Sequence, residues 1–121
     1  MATILIVDDE YLIADILSFA LEDEGYMAVT AGNGERALEV LAREKPALVI
    51  TDFMMPGMDG LELAIAIRGK EDFAQVPIIL MSGAQGSIGR ATPELFDTVY
   101  DKPFDIKQVV DRIKALVPLK P

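Results

Sequence analysis

Three aspartates, a serine and a lysine stand in this 121-residue chain where they could share one site. Asp8 and Asp9 follow the apolar run 4–7, and Asp52 follows the run 47–51. Ser82 follows 77–81, and Lys102 comes shortly after 98–100. Clustered carboxylates repel one another unless a cation or a retained proton offsets them. Asp8, Asp9 and Asp52 give −3, Lys102 brings the sum to −2, and one divalent cation brings it to zero. All the side-chain ligands are hard oxygens, which suit Mg²⁺ or Mn²⁺ better than zinc or copper. A carboxylate is also a nucleophile toward a phosphoryl group, forming an aspartyl phosphate. An ammonium and a hydroxyl can then hold the oxygens of the group in transit.

The elements that must position these groups alternate between two periodicities. Continuous apolar runs of strand length end at each anchor, as expected for a parallel sheet covered on both faces. Between them, Ile13, Ile16, Leu17, Ala20 and Leu21 recur at helical spacing, and Gly25 ends that helix. Residues 27–31 form a second strand. Asn33 caps a second helix with Ala37, Leu38 and Leu41 on its apolar face, stopping before Pro46. Asp59 with Glu62 forms a capping-box pair opening a third helix that runs to about Arg68. That helix is apolar nearly all round, which implies burial or a contact. Asp105 caps a last helix whose face is Ile106, Val109, Val110, Ile113, Leu116 and Val117. The pattern predicts an α/β, doubly wound three-layer sandwich with right-handed crossovers. In such a sheet, ligands bind beyond the carboxyl ends of the strands.

One segment breaks the regularity. Gly83, Gly86, Gly89 and Pro93 lie where a fourth helix belongs, at about 1 kcal/mol per interior Gly and about 3 per Pro. The segment reads as a loop followed by a short helix, opened at Thr92-Pro93-Glu94.

Composition excludes other chemistries. There is no cysteine and no histidine, so disulfides, thiolate sites and imidazole bases are all out of reach. Residues 1–60 carry twelve acidic and three basic side chains, −9, whereas 61–121 carry eight of each. An acidic half of this kind argues against nucleic-acid binding. The first apolar run is too short for a signal-peptide core or a membrane span, so a cytoplasmic protein is expected.

Four pieces together resemble a response-regulator receiver domain. They are Asp8-Asp9, the segment Asp52-Phe53-Met54-Met55-Pro56-Gly57-Met58-Asp59-Gly60, the hydroxyl in Met81-Ser82-Gly83, and Lys102-Pro103-Phe104. The resemblance covers residues 1–121 as a single domain and implies a flavodoxin-like (βα)5 fold of strand order 2-1-3-4-5. It further implies that Asp52 is the phosphoacceptor, with Lys102 pairing the phosphoryl group and Ser82 hydrogen-bonding it. Asp8, Asp9, Asp52 and the backbone carbonyl of Met54 would hold Mg²⁺. The implied partners are a sensor histidine kinase or a histidine phosphotransfer protein, and a downstream protein, with no nucleic acid or membrane bound directly. The domain is expected to be a monomer or weak homodimer, and not an enzyme beyond its own phosphorylation and autodephosphorylation. A receiver excised from a larger hybrid kinase or regulator would read the same way.

Two features separate this reading from its rivals, and one departs from the family. A haloacid-dehalogenase-like phosphatase places its nucleophile first and its acidic pair late, the reverse of the order here. A flavin-binding relative would need a phosphate-cradling loop where Asp8-Asp9-Glu10 stands. Receivers commonly carry an aromatic switch residue three positions before the lysine, but here that residue is Val99, and Tyr100 lies one position later. Alternation along a strand then sends Tyr100 to the opposite side, so either the strand is locally bulged or the usual hydroxyl–aromatic coupling is not used. The expected consequence is that phosphorylation changes the order of residues 84–96 instead of turning one aromatic ring.

Overall fold

Each apolar run becomes a strand, and every anchor lies at or just past a strand end. A computed structural model describes residues 2–83 and 86–119. In chain order the elements are β1 Thr3–Val7, α1 Tyr11–Asp23, β2 Met27–Ala31, α2 Gly34–Glu44, β3 Leu48–Asp52 and α3 Gly60–Arg68. There follow a 3-10 turn Glu71–Phe73, β4 Ile78–Ser82, α4 Gly86–Arg90, β5 Thr98–Asp101 and α5 Ile106–Leu116. The strands form one parallel sheet of order β2-β1-β3-β4-β5. Asp52 and Ser82 are the last residues of β3 and β4, so those strands run one residue further than their apolar runs.

The sheet is covered on both faces, which is why its central strands lack polar alternation. One face packs Leu5, Val49 and Leu80 against α2 and α3 through Val40, Leu41, Leu63 and Ile67. The other packs Ile6, Ile50 and Ile79 against α1 and α5 through Leu17, Leu21, Val109 and Ile113. Among the described residues, no helix is long and apolar enough to cross a membrane.

Local signals act where the sequence places them. The Asn33 side chain accepts from Arg36 N and starts α2, while Asp59 and Glu62 complete a reciprocal capping box at α3. Asp105 accepts from Lys107 N and starts α5. Gly25 takes φ +98°, with Gly25 N and Tyr26 N donating to the Glu22 and Leu21 carbonyls, a Schellman ending for α1.

Three expectations need correction. The helical period places Ile16 on the buried face of α1, but it is 53% exposed, and Ala14 takes its place beside Leu17 and Leu21. The third helix, apolar nearly all round, is buried on one side only: Leu63, Ala64 and Ile67 are buried while Ile65 is exposed. The short fourth helix, Gly86–Arg90, comes before Thr92 instead of starting there. The Thr92 hydroxyl donates backward to the Ile88 and Gly89 carbonyls, closing the helix C-terminus. Residues 84 and 85, part of the segment expected to change order, lie outside the described residues.

Candidate functional site

Strand register decides which anchors meet. Val7 pairs with Thr51, so Asp8 and Asp52 leave β1 and β3 at the same level. Asp52 pairs with Met81 and Met81 with Tyr100, which puts Ser82 and Asp101 one level higher. Side chains alternate along each strand, so Lys102 shares its side of the sheet with Tyr100 and returns toward Asp52.

The lysine does close on the carboxylates. Lys102 Nζ lies 3.2 Å from Asp52 Oδ1 and 3.9 Å from Asp8 Oδ2. Its backbone N–H donates to the Ser82 carbonyl at 2.7 Å, tying β4 to the segment after β5. Asp8, Asp52 and Ser82 are all buried. Burial penalises the charged form and pushes the Asp52 carboxyl up, against the opposing pull of Lys102. Asp8 is pushed up to about 6, chiefly by burial, although the Glu10 N–H donates to its Oδ1 at 2.8 Å. Asp8 Oδ2 has no hydrogen-bond partner among the described residues. A buried carboxylate oxygen left unsatisfied beside two further acids fits a hard divalent cation.

The acids brought together differ in one member from the expected set. Asp8, Glu10 and Asp52 offer carboxylate oxygens within 4.8 Å of one another. Asp9 is exposed and outside that trio, though near enough for its charge to raise Asp52. Glu10, exposed like Asp9, is legible in the sequence only as the third acid in Asp8-Asp9-Glu10, and nothing local shows that it joins the trio.

Backbone supports hold Asp52 in place. Phe53 N donates to the Met81 carbonyl at 2.9 Å, and Gly60 N donates to the Phe53 carbonyl at 2.8 Å. A Cβ on Gly60 would lie 2.5 Å from the Asp52 carbonyl oxygen, so only glycine lets α3 approach this closely. Thr51, also buried, donates its hydroxyl to the same carbonyl at 2.9 Å. In the loop after β3, Gly57 takes φ +78°, consistent with the turn signal of Pro56-Gly57. Met55 and Met58 pack against the core, while the Met54 side chain is exposed. The Lys102–Pro103 peptide is cis.

Beside the site lies an apolar cleft lined by Ile13, Ile16, Phe104 and Ile106, with Glu10 and Lys102 on its rim. On the same face of the sheet, Tyr100 packs with the α1–α5 side, and its hydroxyl donates to the Gln108 carbonyl at 3.3 Å. Val99 faces the other side, under α4. The one-residue displacement of the aromatic therefore does turn it away, with β5 unbulged through its register.

Residues 4–114 match the family model described as response regulator receiver domain. The chain is 37% identical to sporulation initiation phosphotransferase F of Bacillus subtilis (strain 168), over 97% of this chain and 94% of that protein. Its fold is similar to the Vibrio cholerae chemotaxis protein CheY4, with TM-score 0.89 at 26% identity, covering 97% of this chain and 99% of that one. It is also similar to response regulator TrrA of Thermotoga maritima in complex with Mg²⁺-BeF. There the TM-score is 0.85 at 36% identity, covering 97% of this chain and 100% of that one.

Proposed function

The chain belongs to the response regulator receiver domain family, and on that basis we propose that Asp52 is the residue it phosphorylates. Receivers serve two-component and phosphorelay signalling, and this one is a phosphoacceptor of that kind. The observation that carries the assignment is the pairing of buried Asp52 with Lys102 Nζ at 3.2 Å, level with Asp8. In the transfer, an Asp52 carboxylate oxygen attacks phosphorus and the O–P bond forms as the donor's N–P bond breaks. The electron pair leaves with the imidazole nitrogen of a partner phosphohistidine, and the product is an aspartyl phosphate.

Lys102 stabilises charge on the transferring oxygens, and Ser82, at the end of β4, supplies a hydroxyl toward the phosphoryl group once formed. Asp8, Asp9, Asp52 and the Met54 carbonyl would hold Mg²⁺, the ion that accompanies BeF in the Thermotoga complex. When bound, the cation offsets the combined charge of carboxylates and phosphoryl group. Attack of water on the phosphorus of the acyl phosphate breaks the Asp52 O–P bond, releases inorganic phosphate and returns free Asp52, so autodephosphorylation uses the same residues.

The donor is a sensor histidine kinase or histidine phosphotransfer protein, because this chain has no histidine of its own. The cleft of Ile13, Ile16, Phe104 and Ile106 gives such a donor an apolar seat next to Lys102. We read the chain as one receiver unit acting in the cytoplasm, where such donors and Mg²⁺ are available, with its output passed to a protein partner through α4 and β5. The output does not run through an aromatic ring at the position of Val99.

The test is incubation with Mg²⁺ and acetyl phosphate or a phosphorylated kinase. The expected product is an acid-stable, base-labile adduct on the wild type that Asp52→Asn loses completely. Labelling that survives in Asp52→Asn overturns the assignment. Sustained turnover of phosphate esters would make the protein a phosphatase instead.

A further inference from the structure

Glu10 occupies the site without serving the fold. It stands at the N-terminal boundary of α1, yet its side chain caps nothing. Its backbone makes the structural contacts: the N–H donates to Asp8 Oδ1, and the carbonyl accepts from Ile13 N and Ala14 N. Among the described residues, its carboxylate makes no hydrogen bond or ion pair. Glu10 is exposed to solvent, and it still has an oxygen within 4.8 Å of both buried Asp8 and buried Asp52. Asp8 Oδ2, buried and without a hydrogen-bond partner, belongs to the same trio.

We propose that Glu10 is an outer carboxylate of the cation site, holding metal-bound water on the solvent side while the buried aspartates hold the ion. This rests on the reading of Asp8 and Asp52 as cation ligands. Mg²⁺ keeps several of its waters, and such waters need acceptors on the open side of a site. Outer carboxylates that accept from ligands of this kind change metal affinity by about 10- to 100-fold. The four acids Asp8, Asp9, Glu10 and Asp52 sum to −4, Lys102 brings this to −3, and a divalent cation leaves −1. A site with that surplus binds cations tightly and repels a phosphodonor when the cation is missing.

The measurement is Mg²⁺ affinity by titration calorimetry on the unphosphorylated protein, repeated with Mn²⁺ by water-proton relaxation. Glu10→Gln keeps the shape and removes the charge. It is expected to weaken binding about tenfold, the low end of the outer-sphere range. Asp15→Asn removes one charge from an exposed position further along the same helix and should stay within about twofold, since exposed charges at that range are screened. Equal loss in both variants overturns the proposal, because a general acidic field would then account for it. Unchanged affinity in Glu10→Gln with a wild type that binds Mg²⁺ overturns it as well, and leaves the aspartate site standing. A wild type that binds no Mg²⁺ overturns both.

Discussion

β3 and β4 are buried along their whole length, whereas no residue of β5 is. The helices that follow differ in the same way. α3 has nine residues, a complete capping box and a glycine contact with the Asp52 backbone. α4 has five residues, and where it crosses the sheet Gly89 lies over the Leu80 and Val99 side chains. An exposed ion pair, Arg90 with Asp101 at 2.9 Å, adds little stability to that helix. The contrast fits the proposed function. Charges that are to meet a phosphoryl group need fixed positions, and fixed positions come from buried strand ends. If the α4–β5 surface changes on phosphorylation, as proposed, it needs a small free-energy gap, which few buried contacts provide.

The weak side is nevertheless anchored at its base. The Arg68 guanidinium donates to the Leu95 carbonyl at 2.9 Å and to the Ala74 and Val76 carbonyls. Asp97 Oδ2 accepts from Ile78 N at 3.0 Å. These contacts tie the 95–97 end of the segment to α3 and β4.

The largest break in this comparison should come from Gly60→Ala. Its new Cβ would meet the backbone leaving β3, at 2.5 Å from the Asp52 oxygen and 2.9 Å from Phe53 Cα. Neither can rotate away, so a loss of about 3 kcal/mol is expected in urea unfolding, together with slower phosphorylation. A variant as stable as wild type would show that the rigid side is not rigid.

A smaller effect probes the buried charges themselves. Without Mg²⁺, the folded protein holds the Asp8 proton up to about pH 6, whereas an unfolded aspartate releases it near about 3.9. The Asp8 contribution is therefore fully present below about pH 4 and is lost as pH rises to about 6. The difference in stability between wild type and Asp8→Asn should move against the wild type across that window, and Mg²⁺ should restore it. A flat difference would place Asp8 in a more solvated setting than its burial indicates.

Gly89→Ala should have the smallest effect on stability and the sharpest effect on location. Its Cβ would approach Leu80 Cδ2 at 2.6 Å and Val99 Cγ2 at 2.9 Å, side-chain atoms that can yield. About 1 kcal/mol is expected. Amide exchange should quicken in α4 and stay unchanged in β1 and β3. Exchange that also quickens in β3 would join the two regions into one cooperative unit.

Much of this is readable from the chain alone because the signals are local. The caps at Asn33, Asp59 and Asp105 act within one helical turn, and Gly25 ends α1 through its own φ. Alternation along β5 is enough to turn Tyr100 from α4, a consequence of period two alone. Other features depend on what lies opposite. Thr92-Pro93 carries the sequence mark of a helix start, yet Thr92 closes a helix that begins at Gly86, where Gly89 can sit against Leu80 and Val99. Ile16 fits the helical period, but the way α1 docks buries Ala14, Leu17 and Leu21 and leaves it exposed.

Periodicity and caps are properties of neighbours along the chain, so they specify the sheet, its crossovers and the polar groups at the strand ends without reference to the fold. That Glu10 and not Asp9 joins Asp8 and Asp52 within 4.8 Å emerges only in the folded molecule. From the sequence, Asp9 and not Glu10 is the expected member. The choice falls to the direction the chain takes from β1 into α1, set by the Glu10 N–H on Asp8 and by Asp8 N donating to Ala31 O across the sheet.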